Sequence, residues 1–233
     1  MIFDGHGTDN TSAPIGKLMI GRDAVDVWEL RGKVRVPPIA ILSACDTHGI
    51  DASSQATVGN GFLAIGARTV LATLLPVGGI ASAVFITRLV YRIADFLPAA
   101  LRSMERTLNW TEVIAGMLRM LLVSEILNAL IPHGVIENTT HSDIQLQTNM
   151  DINTGNARWF ENLTERIADH RGKTPVATSE HIQKVIARSE AVRYVQLGNP
   201  ETLLVSSDEL HLDVMREYDD ANAGYEAQMK SQT

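Results

Sequence analysis

The chain has 233 residues, 45% of them hydrophobic, which suffices for one domain with a real core and at most a small extension. Its net charge of −7 weighs against a nucleic-acid partner, which would ask for a basic face. A single cysteine excludes an intrachain disulfide framework and fits a reducing, cytoplasmic setting.

Met1–Gly5 reads as a short strand that stops at Gly5, residues 8–16 as a polar loop, and Lys17–Ile20 as a weaker strand. The run VRVPPIAILSA at 34–44 ends in a buried strand centred on Ile39–Leu42. Such near-continuous apolar runs belong to parallel sheets covered on both faces. A polar loop fills 46–57, and a helix with small residues on one side follows at 58–66. The stretch Thr69–Thr87 has no charge and, at 19 residues, would just span a bilayer. Pro76, Gly78 and Gly79 interrupt it, however, so a strand at 69–75 followed by a helix at 80–97 explains it better, and no membrane partner is expected.

A further helix, Trp110–Leu130, has a wide apolar face with Glu112, Arg119 and Glu125 as its only charges. Residues 132–158, rich in Asn, Thr, Asp and Gln, read as an insertion or long loop. Helical pattern returns at 159–170 and 179–190, and 192–205 gives a strand, a Gly-Asn-Pro turn and a short apolar run. From Ser206 the chain is acidic and poor in large apolar groups, the composition of a flexible tail. Strands alternating with helices predict an α/β sandwich around a mostly parallel sheet.

Such sheets bind ligands beyond the carboxyl ends of their strands. The first strand ends in Asp4-Gly5-His6-Gly7 and the strand at 39–43 in Ser43-Ala44-Cys45-Asp46. If the two are parallel neighbours, His6 and Cys45 emerge side by side. A free thiol has a pKa near 8.5 and needs an imidazole within reach to supply thiolate at neutral pH. His6 is then the base, Cys45 the nucleophile, and the Gly7 and Cys45 amides the oxyanion hole. The plainer alternative is a cysteine that is a small core residue and a histidine that is structural or exposed.

Weaker matches stand beside this one. Gly59-Asn60-Gly61-Phe62-Leu63-Ala64 fits a dinucleotide fingerprint, but no strand directly precedes it and residues 79–84 hold no acid. Asp151-Ile152-Asn153-Thr154-Gly155 has calcium-loop composition with its glycine one place early and Asn162 at position twelve, so it reads as a turn. The other histidines (48, 133, 141, 170, 181 and 211) lack zinc spacing. No metal and no cofactor are expected. Asp46 is either a substrate-pocket residue or a turn residue.

The words around the dyad resemble the CHAT domain family of caspase-like peptidases. They are His6-Gly7, then IAILSACDT about forty residues later, then GNGFLAIGARTVLATLLPV. Within the last word the matching positions are Phe62, Leu63, Gly66, Ala67, Arg68, Val70, Thr73, Pro76 and Val77, and Leu197-Gly198-Asn199-Pro200 matches a later family word. The resemblance implies a caspase-like three-layer sandwich over 1–205, with a polar insertion at about 132–178 and a tail at 206–233. It implies a thiol endopeptidase acting on protein or peptide substrates, with His6 and Cys45 as the catalytic pair. The alternative is a truncated, catalytically silent module that serves protein interaction.

The family usually has two more strands and a helix before the histidine, so the fold is expected to be N-terminally incomplete. Three consequences are expected: an open strand edge at Met1–Gly5, an uncovered sheet face near Ile39–Leu42, and a partner chain or self-association at that edge. Leu75 and Gly78-Gly79 stand where the family has Trp and an acidic residue.

Overall fold

A computed structural model describes residues 1–8, 17–44, 57–104, 106–131, 138–172, 174–209, 211–213 and 215–216. The strands are β1 (Ile2–Thr8), β2 (Lys17–Ile20), β3 (Asp23–Asp26), β4 (Ile39–Ala44), β5 (Thr69–Thr73), β6 (Leu108–Asn109), β7 (Tyr194–Gly198) and β8 (Leu204–Val205). The helices are α1 (Val58–Ala64), α2 (Gly79–Tyr91), α3 (Leu97–Met104), α4 (Trp110–Leu130), α5 (Asn138–Asn153), α6 (Trp159–Arg171) and α7 (Pro175–Ile186). Six strands form one sheet in the order β3-β2-β1-β4-β5-β7. β1, β4 and β5 run parallel, β7 is antiparallel to β5, and the β2–β3 hairpin adds antiparallel to β1.

The two most apolar strands take the middle of the sheet, and their alternation sorts the core into two layers. Ile41 and Leu71 face Phe85, Leu89 and Ile114 on one side. Ala40, Leu42, Val70 and Ala72 face Val27, Val58 and Phe62 on the other. Helices on both faces of a mostly parallel central sheet make the expected α/β sandwich. The expected bare face near Ile39–Leu42 is not found: Ala40, Ile41 and Leu42 are at most 3% exposed, because α1 covers one side and α2 with α4 the other.

β1 departs from expectation in length. Gly5 does not end it, because His6, Gly7 and Thr8 find partners in Met19, Leu18 and Lys17 of β2. The open edge is therefore confined to the first half of the strand. Ile2 to Gly5 pair with β4 on one side. Among the described residues no strand pairs with their other side.

α4 joins two cores. Asn109 and Glu112 close a capping box at its start. Its first half packs Ile114, Met117 and Leu121 against the sheet. Its second half packs Val123, Ile126, Leu127 and Leu130 against α5, α6 and α7. Among the described residues it is the one helix long and apolar enough to cross a membrane, and protein cores cover both ends of it.

Two helical assignments differ from the sequence reading. The predicted helix at 80–97 breaks after Tyr91 into a π-helical turn, Arg92–Phe96, before α3 begins. Pro98 lacks an N–H and crowds the carbonyl four residues back, so the ladder widens and Leu97 donates to the Arg92 carbonyl. The polar stretch at 138–153, read as insertion or loop, is α5. Ile144, Thr148 and Ile152, spaced four apart, form the narrow buried stripe that holds it to its neighbours, and the rest is mostly polar, with Leu146 and Met150 exposed. The described part of the tail between Asp208 and Arg216 is helical and exposed.

Gly198 ends β7 at φ +84°, where a Cβ would meet the Arg68 carbonyl oxygen at 2.3 Å. Asn199 donates its N–H to that same oxygen at 2.9 Å. Gly198→Ala should therefore destabilise the chain by about 2 kcal/mol or more, through a strained backbone and a backbone clash. The shift would be read from the urea midpoint at unchanged slope. An unchanged midpoint would contradict this packing.

Candidate active site

The parallel ladder between β1 and β4 pairs Phe3 with Leu42, Asp4 with Ser43 and Gly5 with Ala44. The residues that follow the last pair are His6 and Cys45. The histidine strand is held from both sides, by β4 up to Gly5 and by β2 from His6 to Thr8. Of His6 and Gly7 the backbone alone is described, with His6 opposite Met19 and Gly7 opposite Leu18. Cys45, Asp46 and His48 lie outside the described residues. The structure thus brings together the two strands that carry the predicted pair, at the carboxyl end of β4.

A cluster of buried hydroxyls fixes that end of β4. The Ser43 hydroxyl lies 2.6 Å from that of Ser82 in α2 and 3.2 Å from that of Tyr194 in β7. Ser82 also reaches the Ser43 carbonyl at 3.2 Å. Tyr194 stacks on Phe85, with centroids 4.5 Å apart. Hydroxyls out of water need such partners, since an unsatisfied one costs about 1–3 kcal/mol. Ser82 sits near the start of α2, so the positive end of that helix dipole lies beside the last residues of β4. Sequence reasoning passed over Ser82 and Tyr194. Their one signal was a hydroxyl at Ser43 inside an otherwise apolar run.

The loop from β5 to α2 opens at the same edge and is clamped by residues 189–193. Leu74 donates its N–H to the Arg193 carbonyl at 2.7 Å. The Arg193 guanidinium donates to the Pro76 carbonyl and pairs with Glu190 at 3.1 Å. Glu190 in turn accepts from the Gly78 N–H at 3.2 Å. Glu125 of α4 accepts from the Ser189 hydroxyl and the Glu190 N–H, tying the clamp to the core. Burial pushes the Glu125 carboxyl above its usual range, against the hydrogen bonds that hold it down.

The weaker motifs take structural roles. At Gly61 a Cβ would meet Val27 at 3.1 Å, so the glycine allows α1 to pack closely on the turn at Val27–Leu30. Asp151 pairs with Arg166 at 2.8 Å and accepts from the Asn156 and Asn162 amides. Among the described residues no group of three His, Cys, Asp or Glu side chains is placed to hold a metal.

Residues 6–112 match the family model of the CHAT domain. Over this stretch, a little under half of its length, the chain is similar to the CHAT domain family. The match begins on His6 and takes in β4, α1, β5 and α2, the elements that build the edge just described. α5, α6 and α7 lie beyond it. No curated protein and no solved structure matches the chain.

Tyr194→Phe keeps the aromatic stack on Phe85 and removes one hydroxyl from the cluster under β4. It should lower stability by about 1 kcal/mol, and Tyr194→Ala by about 3–5 kcal/mol. Denaturant unfolding measures both, and two values within error of wild type would contradict the cluster.

Proposed function

We propose that the chain is a caspase-like thiol endopeptidase, with Cys45 as nucleophile and His6 as base. The observation that supports this most is the β1–β4 register, whose last pair, Gly5 with Ala44, immediately precedes both residues. Neighbouring strands run about 4.8 Å apart, and a peptide bond keeps the Cα of Cys45 about 3.8 Å from that of Ala44. Ser43 faces α2, because its hydroxyl bonds to that of Ser82. Residues two apart along a strand share a face, so this reading requires His6 and Cys45 to turn to the face of Ser43.

In this reading His6 takes the Cys45 proton, and the thiolate attacks the carbonyl carbon of a protein substrate. The C–N bond breaks as the imidazolium gives its proton to the leaving amine. Water, activated by His6, then hydrolyses the thioester. The Gly7 and Cys45 amides would receive the oxyanion, which requires the Gly7 N–H to point away from β2. Asp46 would line the pocket for the side chain preceding the scissile bond. The amino end of α2 favours the thiolate, as helix N-termini do.

A second reading, a silent module that engages another chain, is favoured by the one-sided pairing of Ile2–Gly5 and by Met1 and Ile2, both more than 40% exposed. Exposed apolar edges accept added strands.

A thiol-reactive peptide electrophile separates the two. Cys45 is the only cysteine, so any labelled protein reports on it. The peptidase reading expects rapid labelling, slowed about tenfold or more by His6→Ala at neutral pH, for loss of the base. Equal rates in the two proteins would sink the dyad and favour the silent module.

A further inference from the structure

Arg92 opens the π-helical turn that follows α2. The thirteen residues of α2 separate it from the carboxyl edge of the sheet, roughly 20 Å of helix. Its guanidinium lies over the Phe96 ring, 4.1 Å from the centroid. Nη1 donates to the Asn153 side-chain oxygen at 3.0 Å and touches the Met120 sulfur at 3.5 Å. Nε is buried and has no acceptor. Among the described residues no carboxylate pairs with Arg92. Burial draws its pKa down to about 10. A guanidinium is rarely taken this far out of water without an anion, because its lost hydration must be replaced.

The surroundings are shaped to hold the group there. Gly116 of α4 faces it, and a Cβ at that position would come within 2.6 Å of Nη2. A π-helical turn is uncommon and recurs at functional sites. Beside Arg92 lies a cavity of about 380 Å³, bounded by Phe96, the first turns of α4 and residues 152–155. That volume falls in the range of small-molecule sites, roughly 300–1,000 Å³. Arg106 and Arg119 also line it. Arg106 is neutralised by Glu112 at 3.0 Å. Arg119 stands 5.9 Å from the Trp159 ring, and among the described residues it has no carboxylate partner either. The remaining acid, Glu201, is exposed. Two uncompensated guanidiniums therefore face one free carboxylate.

We propose that this cavity binds a small organic anion through a carboxylate or phosphate group, with Arg92 and Arg119 as its anion-binding residues. Guanidinium forks match both oxyanions in geometry and charge. The Asn153 amide would fix the orientation of Arg92, and the wall formed by Phe96 and Val113 would take the apolar part of the ligand. The site is separate from the carboxyl end of β4, where the dyad is proposed, so its occupancy can be measured whether or not the chain cleaves peptides.

The test is calorimetric titration of the full chain with citrate and, separately, with inorganic phosphate, each at ionic strength matched by sodium chloride. Saturable binding of at least one anion at millimolar concentration is expected. Citrate alone would identify a carboxylate ligand, and phosphate alone a phosphate ligand. Arg92→Gln and Arg119→Gln should each weaken binding about tenfold or more, as loss of a charged hydrogen-bond donor does. Gly116→Ala, which presses on Nη2, should weaken it in a chain that keeps all its charges. If Arg92→Gln does not fold, Arg119→Gln and Gly116→Ala decide. Absence of saturable heat with both anions, or affinities unchanged in the folded variants, would overturn the proposal.

Discussion

The parallel ladder between β1 and β4 sets the position of everything proposed at the sheet edge. A parallel pair has a fixed register, and a slip of one residue would turn the set of side chains to the other face. Here the register is fixed from both flanks. β5 pairs with β4 over Ile39 to Ile41, and β2 pairs with β1 over His6 to Thr8. The Met1 carbonyl accepts from the Ile41 N–H at 2.9 Å, so pairing reaches the first residue of the chain. β1 therefore passes the end of β4 at a fixed level, with Gly5 opposite Ala44.

Support reaches that edge through polar contacts, the innermost of them buried. Ser43, Ser82 and Tyr194 tie together β4, α2 and β7, three elements that share no loop. Glu125 and residues 189–193 extend the tie to the loop before α2. Sites positioned by regular elements and held by a second layer of hydrogen bonds keep their geometry better than sites on free loops. α4 has a comparable role on a larger scale, because it belongs to both the sheet core and the helical core. A change in how α5–α7 pack would be felt at Glu125, and at Gly116 beside Arg92.

Legibility in the sequence followed the strength of the apolar signal. β4, β5, α1 and α4 were readable because their apolar residues are continuous or strongly periodic. β2 was readable at its bounds, while β3, Asp-Ala-Val-Asp, was not, since two of its four residues are acidic and β2 specifies it by pairing. α5 was missed because three buried side chains four apart, one of them a threonine, leave little contrast against thirteen mostly polar neighbours. The π-helical turn at Arg92 follows from Pro98, whose effect falls on the residues before it. The words around His6 and Cys45 carried the family resemblance, and the family match begins on His6. The Arg92 cavity was not legible, because its walls come from three separate stretches of the chain, residues 92–119, residues 152–155 and Glu201.

The account turns on whether Cys45 has an imidazole beside it, and the pH dependence of its alkylation reads that directly. The rate of reaction with iodoacetamide would be followed from acid to alkaline pH in the intact chain and in His6→Gln. A free thiol inflects near about 8.5, and a thiolate stabilised by imidazolium and a helix end inflects well below that. The account predicts a low inflection in the intact chain that moves up towards the free-thiol value in the variant. An inflection near the free-thiol value in both proteins would contradict it.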